Sequence, residues 1–283
     1  MSKLSEPLKA LINAGFARPG PAPASKGIRT LFDRIAKESA SKNVGTPCWL
    51  TIATATSMTM NSPASMKELY DVVTSSKDQK TAVETAEIMR EVGLKCIGFN
   101  GIPRTINCLG AFRSSLPEDV VRGLATKPTR IPNANNIEQM RKRGFGLWSA
   151  IYRPFDEKLL NKLADSHPDL PVHIINSHYS ALFTDPPEKQ TPRVGRTLTS
   201  LVGISCLRAQ TGVGPQVLSH VFGLRKAFDE EGIKSNNEAD IPGGRWLASE
   251  EGNFWILKTV DDIVNEISAG EGTTFAPGLR AKL

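Results

Sequence analysis

The sequence predicts an all-α protein, and three observations carry that prediction. Apolar residues recur at intervals of three and four along most of the chain, which is the spacing of one face of an α-helix. Proline and glycine residues interrupt this spacing at positions that suit helices of ordinary length. No series of strands alternating with helices is recognisable in the sequence. With 283 residues, 40% of them hydrophobic and 23% charged, the chain is long enough to bury a sizeable core.

The first half of the chain begins with a predicted amphipathic helix at residues 4–16, which ends at a run of prolines and glycine. Further helices are predicted where apolar spacing follows a helix start. These cover residues 27–42, a segment beginning at Ser62-Pro63, residues 78–98 and residues 103–115. Asn100-Gly101 separates the last two of them.

Residues 49–60 support two interpretations. Their alternating threonines favour a strand, since β-branched side chains suit a pleated sheet. Leu50, Ala53, Ser57 and Met60 also fit one side of a buried helix. The residues alone leave both structures open.

The second half continues the helical pattern after a polar, proline-containing connector. Helices are predicted at residues 136–143, 156–167, 170–183, 195–209, 213–230 and 253–268. A short similarity between residues 50–58 and 198–206 indicates an internal repeat, with shared composition as the alternative explanation.

Composition and motifs exclude several classes of function. The net charge of +6 is spread along the chain, and no basic stripe with interleaved aromatic residues suggests nucleic-acid binding. No apolar run approaches the roughly 20 residues that span a bilayer. The sequence contains no paired-histidine metal motif and no glycine-rich phosphate loop, so we predict neither a metal nor a cofactor. The densest basic cluster, Arg141-Lys142-Arg143 with Arg153 and Lys158 nearby, is interpreted as a solvated helix face or a patch for acidic ligands.

The four cysteines, Cys48, Cys96, Cys108 and Cys206, are widely separated and form no C-x-x-C motif. Free cysteines of this kind are usually small buried apolar groups. As an alternative, Cys96 and Cys108 lie on either side of the turn at residues 101–103 and are a candidate redox pair.

His220 is the strongest candidate for acid/base chemistry. It lies among Val217, Leu218, Val221 and Leu224, whose spacing predicts an apolar helix. Imidazole titrates near neutral pH, so a partly buried histidine is a candidate general acid or base, although a lone histidine in such a helix is more often a packed core residue.

Three segments together resemble the carboxymuconolactone decarboxylase and alkylhydroperoxidase-D-like superfamily. They are residues 214–221 (GPQVLSHV), residues 98–113 (GFNGIPRTINCLGAFR) and residues 193–207 (RVGRTLTSLVGISCL). The resemblance implies an all-α bundle of that superfamily's type and favours helix for residues 49–60. The Gly-x-Pro segment precedes the histidine segment here, opposite to the order in the small decarboxylases, which indicates two related helical units in tandem.

The resemblance also implies a set of site residues. His220 would be the general acid/base, Arg196 and Arg104 would hold a substrate anion, and Asn107 would lie beside Arg104 after the Gly-x-Pro turn. His178 and Tyr179 are a candidate second acid/base pair.

The implied activity is cofactor-free decarboxylation or proton transfer on a small carboxylate, keto or lactone substrate. Positions four and seven before His220 are Gln216 and Val213 rather than cysteines, so the redox centre of the peroxidase branch is missing. Two alternatives remain at this point: a thiol-dependent, alkylhydroperoxidase-like peroxide reductase using Cys96 with Cys108, or Cys206, and a non-catalytic helical assembly protein. A homo-oligomer is expected for the enzyme and for both alternatives.

The predicted organisation is an N-terminal arm at 1–27, a first helical unit at 28–116, a connector at 117–135, a second unit at 136–269 that carries the histidine helix, and a C-terminal segment at 270–283. The terminal residues Ala281-Lys282-Leu283 resemble the Ser-Lys-Leu address, which predicts a peroxisomal location and an import receptor as partner. The basic N-terminal residues faintly resemble a mitochondrial presequence, so mitochondrial and cytoplasmic locations are the alternatives.

Overall fold

The computed structural model describes residues 4–14, 20–187, 194–229 and 241–270. Within these ranges the chain is helical and contains no strand, which confirms the all-α prediction. The Ala281-Lys282-Leu283 terminus lies outside the described residues, as do parts of the predicted helices at 4–16 and 213–230. None of the described helices has the length and apolar character needed to cross a bilayer.

The helices of the first half follow one another with short connections. In chain order they are α1 (Glu6–Ile12), α2 (Ile28–Ser41), α3 (Thr46–Thr59), α4 (Pro63–Thr74), α5 (Gln79–Lys95), α6 (Ile97–Asn100), α7 (Ile102–Ser115) and α8 (Glu118–Gly123). The predicted helix at 78–98 is therefore two helices, with Asp78 capping α5 by accepting a hydrogen bond from the backbone N–H of Thr81 at 2.8 Å.

The second half contains one helix of unusual type among the α-helices. In chain order the elements are α9 (Ile137–Tyr152), α10 (Asp156–Ser166), α11 (Asp169–His173), a π-helix called π1 here (Ile174–Phe183), α12 (Arg196–Gln210), α13 (Gly214–Lys226), α14 (Gly244–Leu247) and α15 (Glu250–Ser268). The single helix predicted at 170–183 is thus α11 followed directly by π1. Long π-helices are rare, and they occur preferentially at functional sites.

Two helices, α3 and α12, form the centre of the molecule. They pack against each other, α15 packs against both, and α2, α4 and α5 complete the enclosure of α3. Every residue of α3 from Cys48 to Thr59 is buried. Because α3 is surrounded on all sides, it lacks the polar face that a surface helix has.

Most of the buried threonines of α3 are compatible with helix because their hydroxyls are satisfied within it; the Thr54 hydroxyl has no partner among the described residues. Thr51, Thr56 and Thr59 each donate to the carbonyl four residues earlier, at 2.7 to 2.8 Å. A buried hydroxyl would otherwise cost free energy. The helical interpretation of residues 49–60 is therefore confirmed, and the alternating threonines reflect burial rather than a strand.

The two predicted units share one core. The main hydrophobic cluster runs from Ile28 to Leu124 and continues from Val194 to Ile267, so both units contribute to it. A second, smaller cluster is built by α9 and π1 around Trp148, Tyr179 and Phe183. The candidate site lies where α13 joins these two clusters.

Candidate functional site

His220 lies on α13, a helix that is buried along only one narrow strip. Pro215 in the first turn favours helix initiation, and the buried residues of α13 are His220, Gly223 and Leu224. The helix packs against α12 on one side and α9 on the other. The sequence pattern therefore turns the imidazole inward, between the two hydrophobic clusters.

The imidazole ring fits because the facing residue of α12 is a glycine. A Cβ atom at Gly203 would lie 2.6 Å from Nδ1 of His220, closer than real side chains approach. The edges of two aromatic rings surround the imidazole, with Phe99 at 5.7 Å and Tyr152 at 6.4 Å between ring centroids. Gly203 thus provides the space in which the ring sits.

The surroundings of His220 keep its ring neutral. The residue is 7% exposed, and burial lowers the pKa of its imidazole to about 4. Nδ1 has no hydrogen-bond partner among the described residues. A neutral imidazole has one N–H donor and one acceptor lone pair, so this nitrogen is an uncommitted polar group inside an apolar enclosure.

A pair of tyrosine hydroxyls lies next to this enclosure. The hydroxyl of Tyr179 on π1 donates to that of Tyr152 on α9 at 3.1 Å, and the Trp148 ring packs against both tyrosine rings. Burial raises the pKa of both tyrosines. Both hydroxyls are therefore protonated at neutral pH.

The predicted pair of His178 and Tyr179 is divided by the structure. Tyr179 faces Tyr152, whereas His178 contacts His173 at 5.2 Å and Phe183 at 6.1 Å between ring centroids. Burial, followed by the neighbouring His173, lowers the pKa of His178. Tyr152, which the sequence analysis did not single out, takes the place of His178 as the partner of Tyr179.

Arg196 begins the same helix that carries Gly203 but lies away from the imidazole. Seven residues separate it from Gly203, which corresponds to about 10 Å along the helix axis. Its guanidinium donates to the backbone carbonyl of Ala150 at 2.8 Å. Burial lowers the pKa of Lys226 at the end of α13, and the charge of Arg196 adds to that effect. Arg196 therefore fastens α12 to α9.

Arg104 and Asn107 lie on α7, a helix apart from α13. Arg104 donates to the carbonyl of Thr59 at 2.8 Å, and burial lowers the pKa of its guanidinium. The side chain of Asn107 is exposed. The structure therefore does not bring the four predicted residues, His220, Arg196, Arg104 and Asn107, together in one group.

A chain of hydrogen bonds connects the Arg104 region to the wall of the His220 enclosure. The hydroxyl of Thr59, whose carbonyl accepts from Arg104, lies 3.1 Å from Oδ1 of Asn100 and 2.8 Å from the carbonyl of Ala55. Gln210 at the end of α12 donates to Asn100 at 3.3 Å and to the carbonyl of Phe99 at 2.7 Å. These bonds fix Phe99, whose ring contacts the imidazole.

The cysteines are buried, and the closest pair is not the one predicted. Sγ of Cys96 lies 3.5 Å from Sγ of Cys206, while Cys108 contacts Asn61 at 3.5 Å. Burial raises the pKa of Cys96 well above its ordinary value, that of Cys108 to about 11 and that of Cys48 to about 12. Since the thiolate is the form that attacks peroxides, this burial disfavours a peroxide-reducing function.

The sequence analysis also missed a fully buried lysine. Lys95 at the end of α5 has no exposed surface. Its ammonium donates to the carbonyl of Phe183 at 2.6 Å, to Asp185 at 2.9 Å, to Thr199 at 3.0 Å and to the carbonyl of Val194 at 3.3 Å. The signal that could have revealed it is the position of Lys95 on the apolar face of its helix, beside Val92 and Cys96.

No protein-family model matches this chain, and no curated protein or solved structure matches it significantly. In the part of the chain that the structure describes, no cluster of histidine, cysteine, aspartate or glutamate side chains is suited to hold a metal ion.

Proposed function

We propose that this chain is a cofactor-free enzyme of the carboxymuconolactone decarboxylase type, which acts by acid/base chemistry on a small carboxylate, keto or lactone substrate. The observation that carries the proposal is the buried Nδ1 of His220, which has no partner among the described residues. Buried polar atoms are normally hydrogen-bonded, so a buried ring nitrogen that has no described partner and lies beside two aromatic rings supports a role in contacting a bound substrate.

The proposed reaction uses the change in the protonation of His220 when an anion binds. In the free protein the imidazole is neutral because of burial. A carboxylate placed beside the ring favours the imidazolium, so substrate binding is accompanied by proton uptake from solvent. The bond between the α-carbon and the carboxyl carbon then breaks, its electron pair remains on the substrate as an enolate, and His220 delivers the proton to the α-carbon. The products are carbon dioxide and the protonated substrate.

Substrate access in this proposal requires α13 to move. The helix buries only three residues, and it follows Thr211 and Gly212, both with left-handed backbone angles of φ 62° and 72°. A helix held by few buried side chains and preceded by such a turn is a suitable moving element. Arg196 lies at the far end of the contact between α12 and α13, and we propose that it meets the substrate anion only in the opened form.

The test is turnover by His220→Gln, which keeps a polar side chain of similar length. Carbon dioxide release is measured from a panel of small β-keto acids and carboxylated lactones, with circular dichroism as the check on folding. We expect the variant to lose about a hundredfold or more in rate, as is usual for loss of a general acid. Unchanged rates in the variant, or no turnover of any panel member by the wild type, would contradict the proposal.

We further propose that residues 28–116 and 136–269 are two related units in tandem. We also propose a peroxisomal location, with Ala281-Lys282-Leu283 as the address. Removing these three residues from a fluorescent fusion is expected to convert punctate fluorescence into diffuse fluorescence. Unchanged puncta would contradict the address.

A second candidate function is assembly into a homo-oligomer, and exposed apolar side chains on α13 favour it. Leu218 and Phe222 are 56% and 51% exposed, and they lie one turn apart on the same face. Glutamate at both positions is expected to lower the mass measured by light scattering. An equal mass for wild type and variant would remove this face from any assembly.

A further inference from the structure

A small cavity lies between α9, π1 and the segment that precedes α9. Its volume is about 90 Å³. The polar side chains that line it come from three separate stretches of the chain: Thr129, Arg130, Asn136, Gln139, Arg143, Ser180 and Thr184. Ser180, the residue after Tyr179 on π1, lines the cavity, whereas the hydroxyl of Tyr179 is bonded to that of Tyr152. His220 does not line the cavity, so the inference drawn from it does not depend on the proposed function of His220.

The basic cluster of α9 places one of its three cations in this cavity. Arg141 is exposed and paired with Glu138 at 3.2 Å, and Lys142 is exposed. Arg143 is half-buried and lines the cavity. One member of a cluster that resembles a solvated helix face is therefore turned inward.

The charges around the cavity do not balance among the described residues. Glu91 binds both terminal nitrogens of Arg130, and Asp185 is paired with Lys95. Arg143 forms no hydrogen bond or ion pair with any described residue. Among the described residues, Arg130 and Lys95 thus have carboxylate partners, whereas the guanidinium of Arg143 has none.

Several hydrogen-bond donors around the cavity also have no acceptor among the described residues. Nε of Arg130, Nε of Arg143 and Oγ of Ser180 are buried and lack partners among the described residues. Ser180 is 4% exposed, so its hydroxyl has little access to solvent. Unsatisfied buried donors cost free energy, and a ligand with several acceptor oxygens relieves that cost.

We propose that this cavity is a binding site for a phosphate group, with Arg143 as its principal ligand-binding side chain. Arginine offers a planar set of donors that matches phosphate oxygens, and the ligand's negative charge compensates a guanidinium that has no acidic partner among the described residues. A volume of about 90 Å³ exceeds the space of a single water and accommodates a group of about five heavy atoms. Donors arriving from three stretches of chain suit a tetrahedral ligand better than a planar one.

Isothermal titration with sodium phosphate at pH 7 tests the site, against sodium chloride of the same ionic strength. Arg143→Gln is expected to weaken phosphate binding by about tenfold or more. Arg141→Gln is the matched control, since it removes the same charge from the same helix on the exposed side, and we expect less than about a twofold change. Ser180→Ala, which adds no atoms to the packing, is expected to weaken binding by a smaller factor.

Three results would overturn the assignment. One is the absence of phosphate binding above the chloride background in the wild type. Another is an equal loss in Arg141→Gln and Arg143→Gln, which would make the effect one of overall charge. The third is equal binding of acetate, which would show that the site does not select a phosphate group.

Discussion

Lys95 and His220 are both buried basic side chains, and the structure treats them in opposite ways. Lys95 has four acceptors around its ammonium, from Phe183, Asp185, Val194 and Thr199. His220 has an apolar enclosure and a ring nitrogen without a partner among the described residues. The first arrangement surrounds the nitrogen with acceptors from distant segments, although burial lowers the pKa of Lys95, whereas the second leaves a neutral ring with one nitrogen uncommitted among the described residues. Burial alone therefore does not say whether a basic side chain is held by hydrogen bonds; the acceptors around it do.

The largest effect is expected at Lys95. Lys95→Met leaves the carboxylate of Asp185 and the carbonyl of Phe183 without their buried donor, which is expected to cost about 3–5 kcal/mol in the free energy of unfolding. Urea denaturation measures this change. Lys80→Met on the same helix is the control, because Lys80 is exposed and lies 4.0 Å from Glu84, so we expect little change. A small effect at Lys95 would make its four contacts incidental.

The next largest effect is the dependence of stability on pH through His220. The folded-state pKa of about 4 lies below the ordinary value of 6.5, so between these values the unfolded chain binds a proton that the folded chain does not. The free energy of unfolding therefore falls as pH decreases from 6.5 to 4, by about 3 kcal/mol from this residue. The contribution is fully present above pH 6.5.

His220→Gln isolates that contribution. Denaturation of the wild type and the variant at several pH values is expected to give curves whose difference changes within this window and is constant above it. Tyr152, whose ring contacts the imidazole, remains protonated throughout because burial raises its pKa. A constant difference across the whole window would show that the imidazole is protonated in the folded state.

A smaller effect is expected at Gly203, which makes room for the imidazole. Gly203→Ala places a methyl group 2.6 Å from Nδ1 and is expected to destabilise the fold by about 1–3 kcal/mol. In the His220→Ala background the clash is absent, and the same change is expected to be neutral or stabilising, since alanine is the better helix former. Gly110→Ala on α7 is the control, because no atom lies within 4 Å of its added Cβ. Equal costs of Gly203→Ala in both backgrounds would exclude the contact.

The smallest effect concerns the tyrosine pair beside the imidazole. Tyr179→Phe removes one hydrogen bond and is expected to cost about 1 kcal/mol, as is Tyr152→Phe. The double variant is expected to cost less than the sum, since either change breaks the same bond. Strict additivity in thermal denaturation would show that the two hydroxyls do not interact.

Helices were predictable from the sequence wherever one side of the helix meets the core. The spacing of Ile28, Leu31, Phe32 and Ile35 predicts α2, and all four are buried. The predicted helix at 136–143 ended too early, because Gly144 and Gly146 lower the helical propensity of the second half of α9. Gly144 is needed there, since an added Cβ would lie 2.2 Å from Oγ of Ser180 on π1.

The site was predictable only in part, because its other members depend on distant contacts. His220 stands out as a histidine within an apolar helix, and the structure encloses it. Tyr152 and Phe99 complete the enclosure from helices far away in sequence, and no local pattern predicts such a meeting. The acceptors of Lys95 are 88 to 104 residues away, so the sequence shows a lysine on an apolar face but not its partners. A π-helix adds about one residue per turn, too small a change to detect in apolar spacing.

The central pairing of α3 with α12 has a consequence for synthesis in the cell. About 150 residues separate the two helices in the chain. At translation speeds of about 5–20 residues per second, α3 waits roughly 8–30 s for its main neighbour to be made. During that interval a helix whose residues from Cys48 to Thr59 are all buried in the finished fold lacks its principal neighbour, so the nascent chain exposes core surface until α12 has been made.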